Sequence, residues 1–118
     1  MKINTKKIGD SGEDLAVNFL KKEGYEILER NFRSRFGEID IVAREGRTVC
    51  IVEVKWRKSS KFGSAADAVD LKKQLKLMRM AKEYYLERNL TGPIRIDVVA
   101  IDGDGQVVNL IRNAVFEG

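Results

Sequence analysis

Two apolar runs on either side of Glu45-Gly46 constrain this chain more than any other feature. Ile39 to Ala43 and Thr48 to Trp56 are rich in β-branched residues, and the glycine between them marks a tight turn. The pair is expected to form a β-hairpin. Side chains alternate along a strand, which places Val49, Ile51, Glu53 and Lys55 on one face. With Arg44 opposite Arg47, Asp40 stands opposite Ile51 and Glu38 opposite Glu53. Asp40 then shares a face with Glu53 and Lys55 and lies diagonal to Glu53, at roughly 7–8 Å between backbones. A four-residue turn keeps this parity, whereas a three-residue turn would throw Asp40 to the other face.

Two acids that can hold a hard cation, beside a lysine, are the minimum set for metal-assisted phosphodiester hydrolysis. The expected ligands for Mg²⁺ or Mn²⁺ are Asp40, Glu53 and the backbone carbonyl of Val54. Lys55 is expected to orient the attacking water and stabilise transition-state charge. Composition narrows the alternatives. The chain has no histidine, which removes Ser-His-Asp and Cys-His catalysis and His-ligated zinc. Its single Cys50 lies in an apolar run and reads as a small buried hydrophobe. Hydrolytic chemistry would therefore rest on carboxylates, lysine and a metal taken from solution.

Charge points to a polyanionic partner. Between Arg30 and Lys82 there are 14 basic and 6 acidic residues, while the whole chain carries only +4. The remainder is therefore net acidic, and the basic stretch surrounds the proposed site. Lys73 and the loop residues Arg57, Lys58 and Lys61 are expected to contact the phosphate backbone without reading sequence. No apolar run approaches the length of about 20 residues needed to span a bilayer. The basic N-terminus lacks the apolar stretch of a signal peptide, so a cytoplasmic location is expected.

Residues 1–118 are expected to form one domain. Helical spacing of Ile8, Leu15, Phe19 and Leu20 predicts a helix over about 6–24, stopped by Gly24. Tyr25 to Phe32 reads as a strand leading into the hairpin. A second helix is expected over about 65–89, burying Leu71, Leu75, Met78, Ala81 and Tyr85. Strands follow at Ile94 to Ile101 and Gln106 to Ile111, the turn between them being Asp102-Gly103-Asp104-Gly105.

Several polar residues have two readings each. Glu13 aligns with Ala16 and Leu20, on the shoulder of the first helix, and is either a surface glutamate or a further acid of the site. Gln74 falls on the buried side of the second helix, where a polar group needs partners. Those are either backbone groups of the sheet or a phosphate with its attacking water. Glu38 either joins the site or pairs with a neighbouring cation. Trp56 lies on the face opposite Glu53 and is expected in the core. Arg95 and Asp97 share a strand face, as a structural ion pair would.

Asp40 with Glu53-Val54-Lys55 resembles the D-(x)n-E-x-K signature of the PD-(D/E)xK nuclease superfamily, which includes archaeal Holliday-junction resolvases and many restriction endonucleases. The chain more narrowly resembles the YraN family of small bacterial endonuclease-like proteins. The resemblance is carried by Gly12-Glu13, Arg30-Asn31, Gly37-Glu38-Ile39-Asp40, Val52-Glu53-Val54-Lys55, Lys73-Gln74 and Arg95-Ile96-Asp97-Val98-Val99. It implies a restriction-endonuclease-like α/β fold, a mixed sheet flanked by helices in the order αβββαββ. It also implies an endonuclease acting on structured or branched DNA, with Glu13, Asp40, Glu53, Lys55 and Gln74 in the catalytic site, and a homodimer as in the resolvases. The alternatives are a non-catalytic nucleic-acid-binding protein on a nuclease fold, and an interaction module for a protein partner.

Overall fold

The computed structural model describes residues 5–57, 70–103 and 107–114, with side-chain surroundings from Gly12 onward. The first helix, α1, spans Thr5–Lys22. It stops because Gly24 adopts φ +93°, a left-handed conformation that only glycine takes without steric cost. The Tyr25 N–H then reaches the Leu20 carbonyl at 2.9 Å, and the Gly24 N–H that of Lys21 at 3.1 Å. These two bonds form a Schellman closure that satisfies the helix's last carbonyls.

Three antiparallel strands follow as a meander: β1 (Glu26–Ser34), β2 (Gly37–Glu45) and β3 (Thr48–Arg57). The second helix, α2, spans Leu71–Glu87 and carries the chain across the sheet. β4 (Ile94–Asp102) can therefore run parallel to β3, and β5 (Val107–Ile111) returns antiparallel at the edge. The strand order is β1-β2-β3-β4-β5, so the expected order αβββαββ and mixed sheet are observed.

A helix covers each face. On one, Ala16, Val17 and Leu20 of α1 pack on Ile41, Cys50, Val52, Val99 and Ile101. On the other, Leu77, Met80, Ala81 and Tyr84 of α2 pack on Phe32, Val42, Ile51 and Ile96. Phe32 and Tyr84 meet edge to face, with centroids 5.0 Å apart. Each fully buried leucine, such as Leu20 or Leu77, contributes about 1.5–3 kcal/mol. Covering both faces explains why β2 to β4 read as nearly continuous apolar runs. Trp56 packs on the α1 side, as expected. A Cβ added to Gly12 would stand 3.0 Å from its ring, so that glycine lets helix and indole approach closely.

Three expectations need correction. The buried stripe of α2 is Leu77, Met80, Ala81 and Tyr84, whereas Leu71 is 69% and Leu75 is 49% exposed. Two apolar stripes overlap on this helix, and the sheet selects the one bearing Met80 and Tyr84. On α1 Leu15 is likewise exposed, while Ala16 and Val17 are buried. The hairpin register is also shifted: Glu45 pairs with Thr48 and Arg44 with Val49, so the turn residues are Gly46 and Arg47. Gly46 takes φ +61° at the first turn position, where a side chain would be strained. The two-residue shift preserves the faces and brings Asp40 beside Glu53 rather than diagonal to it. α2 is capped by Asp70, whose carboxylate accepts from the Lys73 N–H at 2.9 Å. The expected helical residues before Asp70 lie outside the described residues.

A buried polar brace ties the far end of the sheet together. Asp97 is fully buried and accepts hydrogen bonds from Tyr25 Oη (2.7 Å), Arg95 Nε (2.8 Å) and the Asn113 N–H (2.9 Å). Arg95 also reaches Glu45 at 2.7 Å, and Arg112 meets the other Glu45 oxygen at 2.7 Å. Burial pushes the Asp97 carboxyl up, but the bonds from Arg95, Asn113 and Tyr25 outweigh it and hold the group below the ordinary carboxylate range. Burial also pushes the Cys50 thiol up to about 12, so it stays protonated, as a core residue should. Arg95 and Asp97 thus form the expected structural pair.

Candidate functional site

The site begins where β2 and β3 part. Their last paired residues at this end are Ile41 and Val52. Beyond them the Val54 N–H donates to the Asp40 carboxylate (Oδ2, 2.8 Å) instead of to a β2 backbone carbonyl. Asp40 therefore sits in the fork between two strands, its side chain replacing a rung of the ladder.

Glu53 stands next to it and is only 5% exposed. Alternation from Val49 and Ile51 puts Glu53 and Lys55 on the α2 side. There Lys73, in the first turn of α2, meets Glu53 Oε1 at 3.2 Å. Burial first, and then the charge of Glu53, push the Asp40 carboxyl from 3.8 up to about 7. The Val54 N–H and Lys73 oppose this without cancelling it. A carboxyl raised in this way beside a second acid is short of positive charge, and a divalent ion would supply it.

A second group of acids borders the fork from the α1 side. Arg30 bonds Asp14 at 2.8 Å and lies 3.7 Å from Glu13. Asn31 takes φ +57° and, with its amide nitrogen turned toward the acids, donates to Glu38 (2.8 Å) and to both Glu13 oxygens (3.0 and 3.1 Å). Asn31 carries part of the family resemblance, but its place at the site was not expected from the sequence. Its signal was an asparagine within a strand, since asparagine tolerates the left-handed region far better than most residues. Glu38 resolves into an exposed acid paired with Arg33 at 3.8 Å, and its charge adds to the upward push on Asp40.

The structure thus brings together Asp40, Glu53 and Lys73, with Glu13 linked to them through Asn31 and Glu38. Lys55 is half-buried two residues beyond Glu53 and forms no ion pair with another described residue. Gln74 is half-buried one turn before Leu77, and its N–H closes the first turn onto the Asp70 carbonyl at 2.9 Å. Arg57 ends β3, its carbonyl bonded by the Gly103 N–H at 2.8 Å. Lys58 and Lys61 lie outside the described residues. Among the described residues no three acidic or cysteine side chains converge closely enough to hold a metal by themselves. Any ion at the fork would rely on two carboxylates, a carbonyl and water. That suits Mg²⁺, which keeps several waters and takes one or two carboxylates. Among the described residues no helix is long and apolar enough to cross a membrane.

Comparison with known proteins gives a consistent match. The family described as uncharacterised protein family UPF0102 matches residues 12–101, a span containing α2, the fork and most of both cores. A UPF0102 protein of Caldicellulosiruptor bescii is 50% identical over 119 residues, covering 95% of this chain and 99% of the relative. One from Thermodesulfovibrio yellowstonii is 44% identical, covering 93% of this chain and 96% of its own length. A third, from Fusobacterium nucleatum subsp. nucleatum, is 40% identical, covering 97% and 95%.

Proposed function

The chain belongs to the UPF0102 family, and from the acid pair in its sheet fork we propose that it is a metal-dependent endonuclease of the PD-(D/E)xK type, acting on structured or branched DNA. The observation that carries this reading is the pairing of Asp40 with Glu53. A buried carboxylate beside a half-buried one, the latter pushed up to about 7 by desolvation and by its neighbour, is a costly arrangement unless it serves a cation. The site's polarity supports the same substrate class. Lys73 meets the acid pair and Lys55 follows it on the same strand, and the stretch of sequence from Arg30 to Lys82 that holds them is net basic.

Asp40, Glu53 and the Val54 carbonyl fit Mg²⁺ or Mn²⁺, both hard ions that favour oxygen ligands. Bound there, such an ion supplies Lewis-acid stabilisation of charge on the phosphoryl oxygens. The chain's own groups do the rest. The Val54 N–H fixes the Asp40 carboxylate in the fork. Lys73 meets Glu53 and reaches toward the flanking phosphate. Lys55 orients the attacking water and offsets the charge that develops as the P–O bond to the leaving oxygen breaks. Gln74 positions the same phosphate from the helix start, and Glu13 holds the near edge through Asn31. By resemblance to the resolvases, a homodimer would present two such sites to a four-way junction.

The Glu53–Lys73 ion pair favours one other reading. An acid already neutralised by lysine suits a protein that binds nucleic acid without cutting it. Linear, flapped and four-way DNA incubated with Mg²⁺ or Mn²⁺, beside an Asp40→Asn control, separates the two. Cleavage by the wild type and none by the variant is expected. Binding without cleavage across all metals and substrates leaves the non-catalytic reading, and no binding at all overturns both.

A further inference from the structure

The turn between β1 and β2 carries a feature that the acid site does not use. Phe36 stands at its tip and is 39% exposed, although it is a large aromatic residue. The turn is not loose. Glu83 of α2 accepts from the Arg35 N–H (3.0 Å) and from Arg35 Nε (3.3 Å), and Ser34 Oγ accepts from the Phe36 N–H at 3.1 Å. Two guanidinium groups flank the ring: those of Arg35 and Arg79 lie 5.7 and 5.9 Å from its centroid. Beside it opens a groove of about 630 Å³ between Phe36, Arg79, Lys82 and Leu86. The acids at this groove are already paired, Glu83 with Arg35 and Glu87 with Arg88.

The path from this ring to the fork is cationic. Lys73, Lys76 and Arg79 recur every three residues on α2, so they form a row on one side of the helix. The row starts on Glu53 at Lys73 and ends on the Phe36 ring at Arg79. Lys76 lies between, so close over Gly37 that a Cβ there would be 2.8 Å from its Cε. Gly37 adopts φ +143° and leaves room for that lysine. Phe36 is four residues from Asp40, or roughly 13 Å along a strand. That distance is about four stacked nucleotides at 3.4 Å per step.

We infer that Phe36 is a stacking platform for an unpaired nucleobase, and that the Lys73–Lys76–Arg79 row carries the intervening phosphates to the Asp40 fork. A preorganised, exposed ring between guanidinium groups, reached by a track of positive charge, is what sequence-tolerant binding of single-stranded nucleic acid requires. A blunt duplex keeps its bases stacked on one another and offers the ring nothing. The inference rests on the nuclease reading of the fork and adds to it the substrate feature being recognised: an unpaired nucleotide within about four of the cut.

The test measures binding of the full-length protein to labelled DNA in EDTA, so that no strand is cut. A duplex with a short single-stranded overhang is compared with a blunt duplex, using wild type, Phe36→Ala and Phe36→Trp. Loss of one stacked base should weaken overhang binding by about tenfold in Phe36→Ala and leave the blunt duplex unchanged. Phe36→Trp should restore the preference, which a merely structural loss would not do. Equal preference in wild type and Phe36→Ala overturns the platform while leaving the fork untouched. Metal-dependent cleavage that Asp40→Asn abolishes reports on the fork separately, so failure of one reading is distinguishable from failure of the other.

Discussion

Replacing Asp40 by asparagine should make the metal-free protein more stable at alkaline pH. The amide has nearly the shape of the carboxylate, so its oxygen can still accept the Val54 N–H, and it removes the charge that faces Glu53. The magnitude follows from the shift. Burial and Glu53 raise Asp40 from 3.8 to about 7. At 1.36 kcal/mol per unit this amounts to about 4 kcal/mol as a ceiling. Sharing of the proton with Glu53 and relief by Lys73 reduce it, leaving on the order of 1–3 kcal/mol. The sign is fixed by proton counting. Below pH 3.8 the group is protonated in both folded and unfolded chains, and the raised value does no harm. Between 3.8 and about 7 the folded chain holds the proton that the unfolded chain has released, so stability falls as pH rises, and the loss is complete above 7. Urea unfolding of both proteins in EDTA at pH 4.5 and 8.5 measures this directly, because titrating groups that do not interact with Asp40 cancel in the difference. The advantage of Asp40→Asn over wild type should grow by that amount between the two pH values. A difference independent of pH would refute the reasoning and would mean that Asp40 is not held against Glu53.

Calorimetric titration with Mn²⁺ should show affinity rising with pH through about 7, because the ion must displace the proton on Asp40, and specific binding should vanish in Asp40→Asn and Glu53→Gln. Lys55→Ala should lower single-turnover cleavage far more than DNA affinity, with Lys55→Arg between it and wild type, since a guanidinium restores charge but fits a small water site poorly. Asp97→Ala removes the acid at the centre of the buried brace and should cost about 3–5 kcal/mol by chemical denaturation, since the Arg95 guanidinium loses its buried partner. Tyr25→Phe, which deletes the bond to that acid and the one accepted from Arg95, should cost about 1–2 kcal/mol.

The strands were legible in the sequence because both sheet faces are covered and their apolar runs are long. That Asp40 and Glu53 are neighbours was legible because their matching survives a two-residue change of register. The register itself was not: Glu45-Gly46 and Gly46-Arg47 are both reasonable turns, and the choice is made by pairing along the whole of β2 and β3. The buried stripe of α2 was misread for a similar reason. Leu71, Leu75 and Met78 keep helical spacing as well as Leu77, Met80 and Tyr84 do, and only the sheet beneath decides between them. Arg95 and Asp97 were correctly paired from their shared face, but Tyr25, Glu45 and Asn113 join them from distant parts of the chain. The contacts of Asn31 and the fixed placement of Phe36 were not legible because both are conformational. One depends on a left-handed backbone and the other on a turn anchored by Glu83, and neither leaves a periodic trace.

The parallel pairing of β3 with β4 also sets an order of assembly. β1, β2 and β3 are neighbours in sequence and need only short turns to find one another, so the meander is dominated by local contacts. β4 can dock only after the chain has closed a long crossover that includes α2, and Lys73 reaches Glu53 on the same journey. The two acids can therefore be neighbours in a hairpin that is still open to water, where their repulsion is weak. Their cost becomes large only as the helix seals the face above them. Such a late penalty falls mainly on the native side of the folding barrier. Relieving it should lengthen the lifetime of the folded state while leaving the speed of its formation nearly unchanged, which links the charge of the fork to how long the molecule stays folded.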